Sequence, residues 1–169
     1  MKTKQMTLSA MFLAIGLILP FFTGQIQTIG NQLLPMHIPV LLCSYIIGAP
    51  YGMLVGFIMP VLRSFMFGMP LIVNAMCMAF ELASYGFFAG YLYKKLNQSV
   101  VGLYVSLVVS MIMGRLVWGI VSYIVLGASF SFTVFISGAL LNAIPGILLQ
   151  IIFIPIIVLG LKKKELVLS

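Results

Sequence analysis

Glu81, Glu165 and His37 are the only carboxylate and imidazole side chains of this chain, which contains no Asp. Glu81 and His37 stand within or at the edge of long apolar stretches, as do two arginines, Arg63 and Arg115, and an amide, Asn142. An ionisable side chain inside an apolar span costs about 2.5 to 3.5 kcal/mol on insertion scales, so such groups face a cavity or a partner. Carboxylate, guanidinium, imidazole and amide groups in that setting either hold a small polar molecule or neutralise one another. Catalysis has little to work with. No GxSxG, no HExxH and no paired carboxylates within a span occur, and the absence of a GxxxxGKS/T loop excludes direct use of ATP by a phosphate loop. Cys43 and Cys77 lie in apolar surroundings without CxxC spacing and read as small hydrophobes, so neither a metal nor another cofactor is expected.

The elements that must position these groups are membrane helices. The chain has 169 residues, of which 63% are hydrophobic and 7% charged, with a mean hydropathy of +1.24. Soluble domains carry about 25% charged residues, so a water-soluble domain is excluded. The runs are continuously apolar instead of alternating, which points to helices and not to a barrel. Spans of the required length, about 20 residues, are predicted near 6-22, 33-48, 51-67, 72-93, 99-126 and 132-161. The expected fold class is an all-α integral membrane protein, a compact bundle of six transmembrane helices forming one domain over 1-169. The net charge of +7 rests on nine scattered Lys and Arg, which do not form a nucleic-acid patch. With six spans, Lys2 and Lys4, Lys94 and Lys95, and Lys162, Lys163 and Lys164 fall on one side, and the positive-inside rule puts that side and both termini in the cytoplasm. No small-residue cleavage site follows Phe22, so 6-22 reads as a span and not as a signal peptide. The segment 23-35, with Gln25, Gln27, Asn31 and Gln32, is then the longest outward loop, either a lid or a solvated connector.

By this topology His37, Arg63, Glu81, Arg115 and Asn142 all lie in the outer half or at the midplane. Residues three, four and seven apart share a helix face. Asn74, Met78, Glu81 and Tyr85 form one stripe; Arg115, Trp118 and Ser122 form another; Gly138, Asn142, Gly146 and Gln150 form a third. If the stripes converge, they build a polar pocket open to the exterior, with Asn142 better placed than Gln150, which sits deeper toward the cytoplasm. Plainer roles stand beside this one. Glu81 and Arg115 are also a ready structural ion pair, and Arg63 has the stem to snorkel to headgroups. His37 fits an interfacial polar position, and Trp118 fits packing or an aromatic belt. Small residues four apart mark close helix contacts. Gly102, Ser106, Ser110 and Gly114, and likewise Gly86 and Gly90, read as internal packing, whereas Ala10 and Ala14 suit either the inside or the outside of the bundle.

Together the Ala10-xxx-Ala14 pair, cytoplasmic termini, a long first outer loop and outer-half polar residues resemble the substrate-binding S components of energy-coupling factor (ECF) vitamin transporters, over essentially the whole chain. The segments Pro35-Met-His-Ile-Pro39, Gly68-Met-Pro70 and Phe80-Glu-Leu-Ala-Ser-Tyr-Gly86 are similar to the branch that handles small B vitamins and their precursors. The resemblance implies a non-enzymatic binding subunit in a prokaryotic cell membrane, with the first loop as its lid. It implies docking through Ala10 and Ala14 onto a transmembrane scaffold shared with two cytoplasmic ATPases. The candidate ligand contacts are Glu81, Arg115, Asn142, Trp118, Asn74, Arg63, His37 and Tyr85. Glu81, Asn142 and Trp118 suit a planar nitrogen heterocycle, hydroxymethylpyrimidine- or pyridoxine-like, while the two arginines suit a carboxylate such as that of pantothenate. Two other classes stand open: a homodimeric proton-coupled carrier using Glu81, and a membrane assembly factor with no ligand.

Overall fold

The computed structural model describes residues 2–23, 32–127, 131–139 and 143–163. Every regular element among them is helical. In chain order these are α1 (Lys2–Ile18), which runs on as a 3-10 turn (Leu19–Thr23), α2 (His37–Ile46), α3 (Ala49–Phe67), α4 (Ile72–Lys95), α5 (Val100–Leu126), α6 (Phe132–Ala139) and α7 (Ile144–Lys163). Five stretches, Thr3–Phe22, α3, α4, α5 and Ile144–Lys162, are long and apolar enough to cross a bilayer. The protein is an integral membrane helical bundle.

Local chemistry sets the boundaries. Gly48 adopts φ 127° ahead of α3, and Pro50 follows in the first turn, where its missing N–H costs nothing. Gly68, at φ 70°, closes α3 by donating its N–H to the Ser64 carbonyl at 2.9 Å. Ser99 caps α5, its hydroxyl accepting from the Gly102 N–H at 2.9 Å.

Two elements depart from the predicted spans. The run at 33-48 yields a helix of only 10 residues, about 15 Å long and so half the depth of the hydrocarbon core. Pro35 disfavours helical geometry at the residue before it; Leu34 sits at φ 50°, and the chain turns there, with the His37 N–H donating to the Leu34 carbonyl at 3.0 Å. Pro39 is accepted because it lies in the first turn of α2, where backbone donors have no partner within the helix. The second departure is at 132-161, which is divided between α6 and α7, with 140–142 outside the described residues.

Helix α2 is wrapped by its neighbours. It packs against α1, α3, α4 and α7, and eight of its side chains are buried. Leu41 and Tyr45 join Tyr85, Leu107 and Ile154 in one core. Val40, Cys43 and Ile46 join Phe12, Met59 and Leu82 in the other. A helix apolar all round is at home in such a position.

The ends of the bundle differ in character. The Tyr51 hydroxyl donates to the Gln5 side-chain carbonyl at 3.2 Å, tying the start of α3 to the start of α1. Lys162 donates to the Gln98 carbonyl and stands 5.9 Å from the centre of the Tyr93 ring, tying the end of α7 to the turn after α4. The α4 backbone at Gly90 meets the α3 backbone at Ala49. Lys4, Lys94, Lys95 and Lys162 are thus gathered at one end. At the opposite end the Arg63 guanidinium lies 5.0 Å from the Phe21 ring centre and 5.3 Å from that of Phe67, and it donates to the Leu17 carbonyl.

Candidate functional site

Four helices repeat one pattern. On α2 the four-residue ladder His37, Leu41, Tyr45 is apolar or aromatic toward the lysine-rich end and ends in an imidazole on the other side. On α4 the ladder Glu81, Tyr85, Ala89, Tyr93 ends in a carboxylate. On α5 Leu103, Leu107 and Met111 lead to Arg115, and on α7 Val158 and Ile154 lead to Gln150. All the apolar and aromatic members belong to a single core cluster. Side chains four apart on a helix stand one above the other, so the polar residues form a layer on the end of that core remote from the lysines.

Three members of the layer touch. Arg115 Nη1 donates to Glu81 Oε1 at 2.8 Å, and His37 Nε2 lies 3.5 Å from the same oxygen. Glu81 and His37 are 2% and 1% exposed, and Arg115 is 11% exposed. The His37 ring meets Tyr85 edge-on, with centroids 4.9 Å apart. Gly114 lets α5 come close enough for its backbone to lie on the Tyr85 ring, which sets Arg115 beside it. The Tyr85 hydroxyl stands near the guanidinium without hydrogen-bond geometry.

The cluster is balanced in charge and unfinished in hydrogen bonding. Arg115 and Glu81 neutralise each other, which offsets part of the cost of burying both. Yet Arg115 Nε and Nη2, His37 Nδ1 and the Tyr85 hydroxyl are buried with no hydrogen-bond partner among the described residues. The great majority of buried polar side-chain atoms are paired. The unpaired guanidinium N–H groups donate, the phenol can donate or accept, and the imidazole Nδ1 accepts when Nε2 carries the proton, a mixed set that suits a small polar molecule.

The remaining predicted residues fall elsewhere or lie outside the described part. Asn74 is exposed near the start of α4. Arg63 is buried on the same side of the core as the layer, but among the Phe21 and Phe67 rings at the ends of α1 and α3. Trp118 is half-buried and stacks on Phe135 of α6 at 6.2 Å. Asn142, Gln25, Gln27 and Asn31 lie outside the described residues. Gln150, ranked below Asn142 from sequence, is 0% exposed, and neither its Nε2 nor its Oε1 has a partner among the described residues. The signal for it was present: it is the sole polar side chain between Ala143 and Leu161.

Comparison with known proteins identifies the family of the chain. The sequence profile of the family described as ECF transporter, substrate-specific component, matches residues 4–158. No curated protein and no solved structure matches the chain.

Proposed function

Because the chain belongs to the substrate-specific components of ECF transporters, we propose that it captures a small water-soluble vitamin or vitamin precursor at the cluster of Glu81, Arg115, His37 and Tyr85. It then docks on a transmembrane scaffold that works with two cytoplasmic ATPases. The observation that carries this reading is the buried, charge-balanced cluster in which Arg115 Nε and Nη2, His37 Nδ1 and the Tyr85 hydroxyl have no hydrogen-bond partner among the described residues. Its position at the end remote from the lysines supports loading from outside, since the positive-inside rule assigns the lysine-rich end to the cytoplasm. The setting is then the cell membrane of a prokaryote, with both termini inside.

Docking is proposed for the outward face of α1. Phe12 and Gly16 turn inward, the latter against Met59, while Ala10 and Ala14 are exposed beside Met6, Met11 and Ile15. Small residues on an outward face allow another helix to approach closely. A proton-coupled carrier would need Glu81 to gain and lose a proton freely, and the 2.8 Å contact with Arg115 weighs against that.

A thermal-shift panel of water-soluble vitamins and precursors, run on the full chain in detergent, tests the capture reading. A ligand that binds only the folded state raises its apparent stability, by about 2.7 kcal/mol at a hundredfold excess over Kd. At least one panel member is expected to do so. A panel with no stabiliser overturns ligand capture and favours an assembly role.

A further inference from the structure

Gln150 belongs to the polar layer by register, although it makes no hydrogen bond to the ion pair. Helices α2 and α7 pack together. Gly146 lies against the backbone of Gln32 and Leu33, just ahead of α2, while Ile154 packs in the same core as Leu41. Leu33, His37 and Leu41 are four apart, and so are Gly146, Gln150 and Ile154. Gln150 therefore stands level with His37, one turn above the apolar core, on the face that α7 turns inward.

A primary amide in that position is costly. Its N–H donors and its carbonyl are both stripped of water, and neither is paired. Leu, Met or Ile would fill the same place in an apolar helix without that cost. The amide has one property they lack, a donor and an acceptor side by side in one plane. That edge matches a partner with an acceptor and a donor equally side by side, a bidentate pairing of the kind by which Asn and Gln amides read the N6 amino group and N7 of adenine. Arg115 Nε and Nη2 supply donors for a further acceptor oxygen on the same molecule.

Resting on the vitamin-capture reading, we propose that Gln150 is the specificity-determining residue of the site and that the ligand is a neutral heteroaromatic ring with an amino group next to a ring nitrogen, an aminopyrimidine edge. A pyridine without the amino group leaves half of the amide unpaired. An acyclic carboxylate whose amide N–H and C=O point in opposite directions leaves the same half empty.

The test is calorimetric titration of the full chain in detergent with 4-amino-5-hydroxymethyl-2-methylpyrimidine, pyridoxine and pantothenate, for the wild type and for Gln150→Met and Gln150→Leu. The aminopyrimidine is expected to bind the wild type most tightly, and each variant to lose about 10- to 100-fold of that affinity. The ligand-free melting temperature of the variants is expected to hold or rise, because they remove two unpaired buried polar groups. Unchanged aminopyrimidine affinity in the variants, or a preference for pyridoxine or pantothenate, overturns the role given to Gln150 and leaves vitamin capture standing. A lower ligand-free melting temperature in both variants makes the amide structural and also overturns it. Failure of all three compounds, together with the wider vitamin panel, overturns capture itself and this inference with it.

Discussion

One carboxylate oxygen holds the buried charge in balance, since Glu81 Oε1 receives Arg115 and faces His37. Removing one member of a buried pair strands the other, at a cost of about 3–5 kcal/mol, whereas replacing both by apolar groups is often neutral. Glu81→Gln is therefore expected to lower stability by about 3–5 kcal/mol, and Glu81→Gln combined with Arg115→Met to recover most of that loss. Unfolding in detergent of the two single variants and the double variant checks this as a mutant cycle. Additive losses would show that the two residues do not act as a pair. Much of this cluster was legible in the sequence, because charges in apolar spans are conspicuous and helical phase put Tyr85 beside Glu81. Asn74 shares that phase but stands in the first turn of α4, where it is exposed. Phase gives the direction of a side chain, not whether a neighbour reaches it. Arg63 was as conspicuous as Arg115, yet its partners are a backbone carbonyl and two rings that only the fold brings near. No spacing rule encodes such partners.

At the scale of elements, the contact between α3 and α4 is made by backbones. A Cβ at Gly56 would lie 2.5 Å from the Leu82 carbonyl oxygen, and one at Gly86 would lie 2.7 Å from the Met53 nitrogen. Ser44 of α2 donates its hydroxyl to the Gly86 carbonyl and sits against Gly52 and Gly90 at the same contact. Gly86→Ala is expected to force the helices apart and to cost about 1–3 kcal/mol. Gly160→Ala, where nothing lies within 4 Å, is expected to be neutral or to stabilise α7 by up to about 1 kcal/mol. Melting temperatures of the two variants make the comparison, and equal effects would argue against close backbone packing. The sequence marked Gly86 and Gly90 as packing residues, but it did not reveal that they face Gly52 and the start of α3. It also overextended α2, because Leu33, Leu34 and Met36 continue the apolar run through a turn. Hydropathy does not distinguish a turn buried by its neighbours from another turn of helix. Pro35 was the residue that did.

For the whole molecule, the lysine-rich end and the polar layer lie on opposite sides of the apolar core, while α1 keeps an exposed face of small and apolar residues. On the proposed docking, Ala14→Trp is expected to abolish co-purification of a scaffold and ATPases while leaving the affinity of a stabilising ligand within about twofold, since this side chain is exposed on the outside of the bundle. Loss of ligand binding with docking intact would reverse that assignment. Six apolar segments and the segregation of lysines were readable from composition and charge alone. The central place of α2 was not, because burial on every side depends on which helices surround it. The glycine contact between α3 and α4 has a mechanical consequence. Where two main chains lie against each other there is no rotamer to flip and no slack to take up, so that pair behaves as a girder. On the proposed capture, any rearrangement that admits a guest or lets it go would fall to the lighter pieces hung around that girder.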